Sequence, residues 1–500
     1  MSALAQPVAS PRPDSVSVTI YRAPDRARGD AIDPEWVEGY ALITERRTVR
    51  VPEGRGTIRF EGVAAGILPE SAIVTGLPEG VREKNLDADL LSPYSLYARS
   101  YGRPVILRRT GPDKKMREER GIIRSGPDGA AIIQTREGFL AADCTGLDSL
   151  AYESVPEGLS AKPTLSIETE SAHGGQVTVT LSYLAWGFDW QANYVATMRP
   201  DGRSADLFAW VTLANGDVTG FADADTMVIA GNVRREDDSA GQVRPEGRDL
   251  IFQCLARPYG PDRIVAGVIA EDIGAFPDTN MADALKRVPG VAVNRFSSTV
   301  VDSITAEDFG DLKLYRIPRR TTVAAMSQKQ VALLDKPSVP VEVYYRATLY
   351  DDDIDSEAML ALRAQNRVEK GLGLPLPAGP VAVFEPRDGV PILVGEGAIT
   401  DKAVKEDVEI DVAPATQVTA TIGRTASGKS WTDQRLTITN ANPWPIHFET
   451  KLVGSDEWKR TRMSAKTVRK PAGEYWIAEV PANGTATLSF RLVSRSRSRP

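Results

Sequence analysis

Apolar and polar side chains alternate with period two along most of the chain, the signature of half-buried β-strands. Thr48-Val49-Arg50-Val51 and Thr57-Ile58-Arg59-Phe60 flank Pro52-Glu53-Gly54-Arg55-Gly56. That pattern predicts a hairpin with Val49, Val51, Ile58 and Phe60 on one face. Short strands with turns at Gly111-Pro112-Asp113 and Ser125-Gly126-Pro127-Asp128-Gly129 fill 105–142 and predict a small barrel. Beyond Thr164 the alternations lengthen. Val177, Val179, Leu181 and Tyr183 form one inward set, Leu207, Ala209, Val211 and Leu213 a second, and Val341, Val343, Tyr345, Ala347 and Leu349 a third. Long strands in series predict a β-sandwich. Leu436, Ile438, Ile446, Phe448, Ala486, Leu488, Phe490 and Leu492 repeat the pattern between turns at Asn442-Pro443 and Asn483-Gly484, predicting another sandwich. Helix is scarce. The best stretch is 279–288, with Asp278 or Thr279 as cap, Met281, Ala284, Leu285 and Val288 on one face and Pro289-Gly290 as stop.

The chain is therefore expected to be mainly β and multidomain, since 500 residues exceed one core. The expected divisions are a flexible lead-in at 1–15, an N-terminal β module at 16–92 and a small barrel-like module at 93–160. A central β-sandwich at 161–403, a C-terminal β-sandwich at 404–493 and a disordered basic tail at 494–500 follow. With 41 Gly and 34 Pro the chain has the turn content such a fold needs. The formal charge of -7 reads as spread along the chain and gives no electrostatic reason to expect nucleic acid or anionic lipid as a partner. No stretch approaches the length of a membrane-spanning helix. Cys144 and Cys254 lack the neighbouring ligands of a zinc site and form either one long-range disulfide or two buried thiols. Ala3-Leu4-Ala5 before Gln6 has the small-x-small form of a signal-peptidase site, without the basic and apolar regions that precede one. It reads either as the remnant of an export signal or as an accident, and the first predicts a periplasmic or secreted protein.

Three stretches resemble one family. They are Leu181-Ser182-Tyr183-Leu184-Ala185-Trp186-Gly187-Phe188-Asp189-Trp190-Gln191-Ala192-Asn193-Tyr194, then Gly310-Asp311-Leu312-Lys313-Leu314-Tyr315-Arg316 running on to Lys329-Gln330-Val331-Ala332-Leu333-Leu334, then Gly371-Leu372-Gly373-Leu374-Pro375-Leu376-Pro377-Ala378-Gly379. Together they resemble the mucoidy-inhibitor-A-like family, a bacterial domain of unknown function. The resemblance implies a mainly β, exported protein of a Gram-negative cell envelope with no established activity. It also implies a strand rather than a helix within 356–370, ending at Asn366 before a Gly-Pro loop. The long coiled coil that many relatives carry is missing here, since 93–155 contains no heptads. A second resemblance is local. Glu271-Asp272-Ile273-Gly274-Ala275-Phe276-Pro277 and the residues on to Arg295 resemble the plug of a TonB-dependent receptor. Ala270-Glu271-Asp272-Ile273-Gly274 nearly repeats as Ala306-Glu307-Asp308-Phe309-Gly310, so a plug-like insertion is placed within 256–306, with 271–306 either a passenger in a surface loop, the expected reading, or a plug mimic that engages the TonB system.

Candidate chemistry is thin. Gly423-Arg424-Thr425-Ala426-Ser427-Gly428-Lys429-Ser430 matches the P-loop string, but Leu436-Thr437-Ile438-Thr439 downstream reads as strand, where phosphate binding needs a helix. A hairpin is the better reading. Asp351-Asp352-Asp353-Ile354-Asp355-Ser356-Glu357 lacks the EF-hand register and reads as a solvated turn. His173 precedes a Gly-Gly turn, and His447 lies on a strand; no catalytic motif includes either. Trp186, Trp190 and Tyr194, with Phe188, form the densest aromatic cluster. They are either core or a surface for a ligand or partner. The expectation is a noncatalytic envelope-associated interaction or scaffold protein without cofactor or metal, whose partner is an envelope protein or a cell-surface polysaccharide. The alternative is a carbohydrate-binding or carbohydrate-active protein.

Overall fold

Val49, Val51, Ile58 and Phe60 are all buried, as their alternation requires, yet they do not form a hairpin. In the computed structural model, Tyr40–Val51 pairs with Ser15–Tyr21 and Gly175–Trp186. Gly54–Glu61 pairs instead with Val8–Ser10 and Thr164–Ser171, in another sheet. The chain arches from one sheet to the other, turning at Gly54 with its φ of 76°. Both strands still present the same residues to one core, so the alternation cannot tell arch from hairpin. The structure describes residues 7–495 except 25, 28, 35, 88–90, 111–113, 127–130, 143–148, 157–158, 232, 234–303, 311 and 355–356. Both cysteines, the 279–288 stretch, most of the plug-like segment and the 496–500 tail lie outside those residues.

The fold is mainly β, with several sheets and little helix. One body is a sandwich of the four-stranded sheet containing Gly54–Glu61 and the eight-stranded sheet containing Tyr40–Val51. Ser15–Tyr21 lies between Tyr40–Val51 and Phe221–Ala230, so strands from both ends of the region share one sheet. Asp217 reinforces the connection, accepting from the backbone N–H groups of Ala65 (3.0 Å), Gly66 (2.7 Å) and Thr219 (2.7 Å). One apolar core runs from Val16 to Val412. Divisions after 92 and after 160 therefore do not separate an N-terminal core from a central one.

The stretch between those divisions does have its own core. Tyr97, Val105, Leu107, Ile123 and Ile133 are buried together beneath a five-stranded sheet ordered 138–142, 131–135, 116–123, 104–110, 149–152. It also has a helix the alternation did not suggest, Pro93–Arg99. Ser92 caps it by accepting from Ser95 N–H, and Pro93 occupies the first helical turn, where its missing N–H costs nothing.

Strands Phe188–Met198, Ser204–Asn215, Ser327–Tyr350, Met359–Gln365, Gly379–Arg387, Val390–Ile399 and Asp407–Pro414 wrap a small apolar cavity of about 30 Å³. Leu207, Val341, Leu362, Val381, Ile399 and Ile410 are among its walls. Gly395 and Gly397 let Val390–Ile399 pass against the carbonyls of Val412 and Asp411, where no Cβ would fit. The strand expected to end at Asn366 is present as Met359–Gln365. The Asn366 side chain, fully buried, then ties down the following loop. It donates to Leu374 O (2.8 Å) and Ala403 O (2.9 Å) and accepts from Gly373 N–H (3.0 Å).

Ser327–Tyr350 is 24 residues long and belongs to two cores. Its first half pairs with Ser204–Asn215 around the cavity; its second pairs with Met359–Gln365 and with Ile446–Val453. Val339 packs in the first core, and Ala347 and Leu349 pack in the C-terminal one. Val343, expected inside, falls between the two cores and is 38% exposed, while Tyr344 on the opposite face is fully buried. The C-terminal core lies between this sheet and the four-stranded sheet of Val418–Gly428, Trp431–Asn440, Gly484–Ser494 and Trp458–Thr461. Leu436, Ile438, Leu488, Phe490 and Leu492 fill it, as their alternation predicted. Among the described residues no helix is long and apolar enough to cross a membrane.

Candidate functional site

The aromatic cluster picked out as a potential binding surface is divided by Gly187, whose φ of 92° bends the chain between two strands. Trp186 ends the first strand half-buried. Trp190 and Tyr194 lie on the second and are 0% and 1% exposed. A ring that stacks on a ligand needs an open face, so Trp190 and Tyr194 are core and not a ligand or partner surface. Each polar atom of the pair is spent internally: Trp190 Nε1–H donates to Ile229 O (3.0 Å) and Tyr194 O–H to Pro377 O (2.7 Å). Burial pushes the Tyr194 phenol well above its ordinary value. Asp189 seals this region by accepting from Ala23 N–H (2.8 Å), Arg26 Nε–H (2.9 Å) and Trp190 N–H (2.7 Å). Arg22 lies over the Trp190 ring, its guanidinium carbon 5.1 Å from the centroid.

The P-loop string forms the tip of a hairpin. Gly428 pairs with Trp431, leaving Lys429 and Ser430 as its two-residue turn between Val418–Gly428 and Trp431–Asn440. No helix follows, so the convergent N–H groups that hold phosphate are not assembled there. Asp351 begins a turn after Tyr350 and its carboxylate accepts from Ser455 N–H at 3.4 Å; Asp355 lies outside the described residues. Among the described residues, no group of three or more His, Cys, Asp and Glu is placed to hold a metal ion. His173 uses its backbone carbonyl to accept from Ser171 Oγ–H (2.8 Å).

Two charged assemblies were not evident from the sequence. The first is inside the N-terminal sandwich. Glu45 and Arg47 are both fully buried, and Arg47 Nε–H donates to Glu45 Oε2 (2.7 Å). Arg47 also donates to Ser10 O (2.6 Å) and Glu61 O (2.9 Å), while Tyr183 O–H donates to Glu45 Oε1 (2.8 Å). Burial pushes the Glu45 carboxyl up, against the pull of Arg47 and Tyr183. With both charged groups fully buried, this network holds strands together.

The second assembly lies where the two cores join, and it is partly open to solvent. Arg363 on Met359–Gln365 donates to Glu449 on Ile446–Val453 through Nη1 (3.0 Å) and Nη2 (2.9 Å). It also reaches Glu342 (3.0 Å) and Glu409 (2.9 Å), and its guanidinium carbon is 4.2 Å from the Tyr344 ring centroid. Lys470 Nζ donates to both oxygens of Glu449, at 2.7 and 2.8 Å. Burial opposes ionisation of Glu449, but these cations outweigh it and pull its carboxyl down to about 2. Arg346 adds an ion pair to Asp411. His447 sits beside them, Nδ1 3.3 Å from Glu479 and 3.5 Å from Glu342, Nε2 3.3 Å from Glu449.

This junction is the candidate site. Its best-placed carboxylate is committed to two cations, so Glu449 is poorly suited to act as a general base. What the geometry does well is clamp Met359–Gln365 to Ser327–Tyr350, Asp407–Pro414 and Ile446–Val453 across the boundary between two cores. Charge-assisted, bidentate pairs of this kind fix direction as well as distance. The sequence signal was present but faint: Glu342, Arg346, Arg363, Glu409, Asp411 and Glu449 are charged positions that alternate with apolar ones along their strands, as solvated positions also do. The chain matches no protein-family model and no curated protein.

Proposed function

We propose that this protein is a noncatalytic interaction scaffold of the bacterial cell envelope. The observation that carries the reading is the 24-residue strand Ser327–Tyr350, shared by two cores and clamped where they meet. A strand that pairs on both sides of a junction resists bending there, since bending must break ladder hydrogen bonds and the Arg363–Glu449 pair together. Stiffness over two cores suits a protein that holds partners at a fixed separation. The described cavity, about 30 Å³ and walled mainly by aliphatic side chains, has room for about one water and no substrate. The resemblance to the mucoidy-inhibitor-A-like family supports a periplasmic or secreted location.

The test is a tagged full-length chain recovered from the native envelope after brief cross-linking. A defined partner at near-stoichiometric recovery is the expected result. Turnover of any member of an ester, peptide and glycoside panel by the purified chain would overturn the reading.

A further inference from the structure

The outward face of the C-terminal four-stranded sheet carries a regular array of hydroxyls. Thr421, Thr437 and Thr487 are cross-strand neighbours in one row, and Thr419, Thr439 and Thr485 in the next. Five of the six are exposed and Thr437 is half-buried, while Val418, Ala420, Leu436, Ile438 and Leu488 fill the core beneath. Strand geometry spaces these positions roughly 4.8 Å across the sheet and about 6.7 Å along it. The next rows are cationic. Arg435 is cross-strand to Ser489, Asp433 to Arg491, and Lys459 to Val493. Asp433, the acid on this face, is held by Arg491 at 2.6 and 2.7 Å. Trp431 is flattened between Gly428, which has no room for a Cβ, and the Arg491 guanidinium, 3.8 Å from the ring centroid. Arg435, Lys459 and Arg462 are exposed and enter no ion pair among the described residues.

The charge of the whole region agrees with that of the face. Residues 415–500 hold 14 Lys and Arg against 6 Asp and Glu, a net of +8. Residues 1–414 hold 46 against 61, a net of -15. The modest total of -7 is therefore not spread along the chain; it conceals a basic C-terminal unit on an acidic body. A basic surface on such a chain attracts anions, and the acidic remainder discourages non-specific adhesion.

We propose that this sheet face docks a linear, carboxylate-bearing polysaccharide, with Arg435, Lys459 and Arg462 meeting its carboxylates and the threonine rows its hydroxyls. The hydroxyl lattice and the charge fit an extended sugar chain. Single-stranded nucleic acid needs open aromatic platforms, and Trp431 is covered by Arg491. A membrane surface needs apolar side chains beside the cations, and threonines stand there instead. The inference rests on the interaction reading above and names the class of partner.

The test uses the full chain with polygalacturonate, polyglutamate, neutral dextran and oligo-dT of similar length. Polygalacturonate is expected to bind best, and to weaken as salt rises from about 50 to 300 mM. Charge reversal at Arg435→Glu, Lys459→Glu and Arg462→Glu together is expected to weaken it at least about tenfold, with an unchanged melting temperature. Thr421→Val, Thr437→Val and Thr487→Val together should erase the preference for polygalacturonate over polyglutamate while keeping the fold, since valine suits a strand. No polygalacturonate binding at low salt, or binding that the charge reversal leaves unchanged, would overturn the proposal. So would equal or tighter binding of polyglutamate, dextran or oligo-dT by the unaltered chain. If binding to polygalacturonate fails while envelope cross-linking still yields a partner, the face is wrong and the scaffold reading stands.

Discussion

Arg363 and Glu449 lie on different strands, Met359–Gln365 and Ile446–Val453, and meet as a two-pronged pair at 3.0 and 2.9 Å across the junction of two cores. The side chains are 13% and 3% exposed, so water screens the pair only weakly. Removing one partner leaves the other undercompensated, with only Lys470 on Glu449 or only Glu342 and Glu409 on Arg363. Arg363→Met is expected to destabilise the chain by about 3 kcal/mol, and Glu449→Leu by a similar amount. The double variant should lose clearly less than the two together, because the direct Arg363–Glu449 interaction is then lost once and not counted twice. Denaturant melts of the four proteins measure the coupling, and strict additivity would contradict a direct pair.

The same carboxylate gives a pH signature. Glu449 is pulled down to about 2, below the ordinary value of about 4.3 for an unfolded glutamate. Its contribution is thus fully present above about pH 5 and is lost as pH falls through about 2. The wild-type chain should melt higher than Glu449→Gln at pH 6, and the gap should close as pH approaches 2. A gap that stays constant would show that Glu449 does not titrate as the pairing requires.

Trp190 and Tyr194 behave as core in this account. Tyr194→Phe removes the hydrogen bond to Pro377 O and should cost about 1 to 2 kcal/mol, leaving a buried carbonyl short of a partner. Trp190→Ala should cost about 3 to 5 kcal/mol. Neither variant should change polysaccharide binding once folding is matched by temperature. Wild-type stability in Trp190→Ala would mean that the ring is not buried.

Lys429 lies in a two-residue hairpin turn. Lys429→Ala should change stability by less than about 0.5 kcal/mol, and ATP should shift the melting temperature of neither protein. An ATP-dependent shift lost in the variant would restore the P-loop reading.

These expectations show what period-two patterning reveals and where it stops. Alternation identified Leu436, Ile438, Leu488 and Phe490 correctly because a solvated face and a buried face differ at every step. It mistook an arch for a hairpin at 48–60, since inward residues look the same whichever sheet each strand joins. It did not reveal Glu45 and Arg47, because burying a charge requires partners such as Ser10 and Tyr183 that are distant in sequence. Helix Pro93–Arg99 was legible in Ser92-Pro93 but too short to show a periodic face. The threonine rows required knowing which strands are neighbours. The basic C-terminal unit required only counting by segment, and the small total charge hid it.

On the proposed reading, Ser327–Tyr350 welds two cores into one stiff unit. Native-state hydrogen exchange at Tyr345 to Leu349, where the strand pairs with Ile446–Val453, tests it most directly. Those amides should exchange as slowly as the core strands on either side and speed up with Arg363→Met. Rapid exchange there in the unaltered chain, with both flanking cores still protected, would show a hinge instead of a weld and contradict the account.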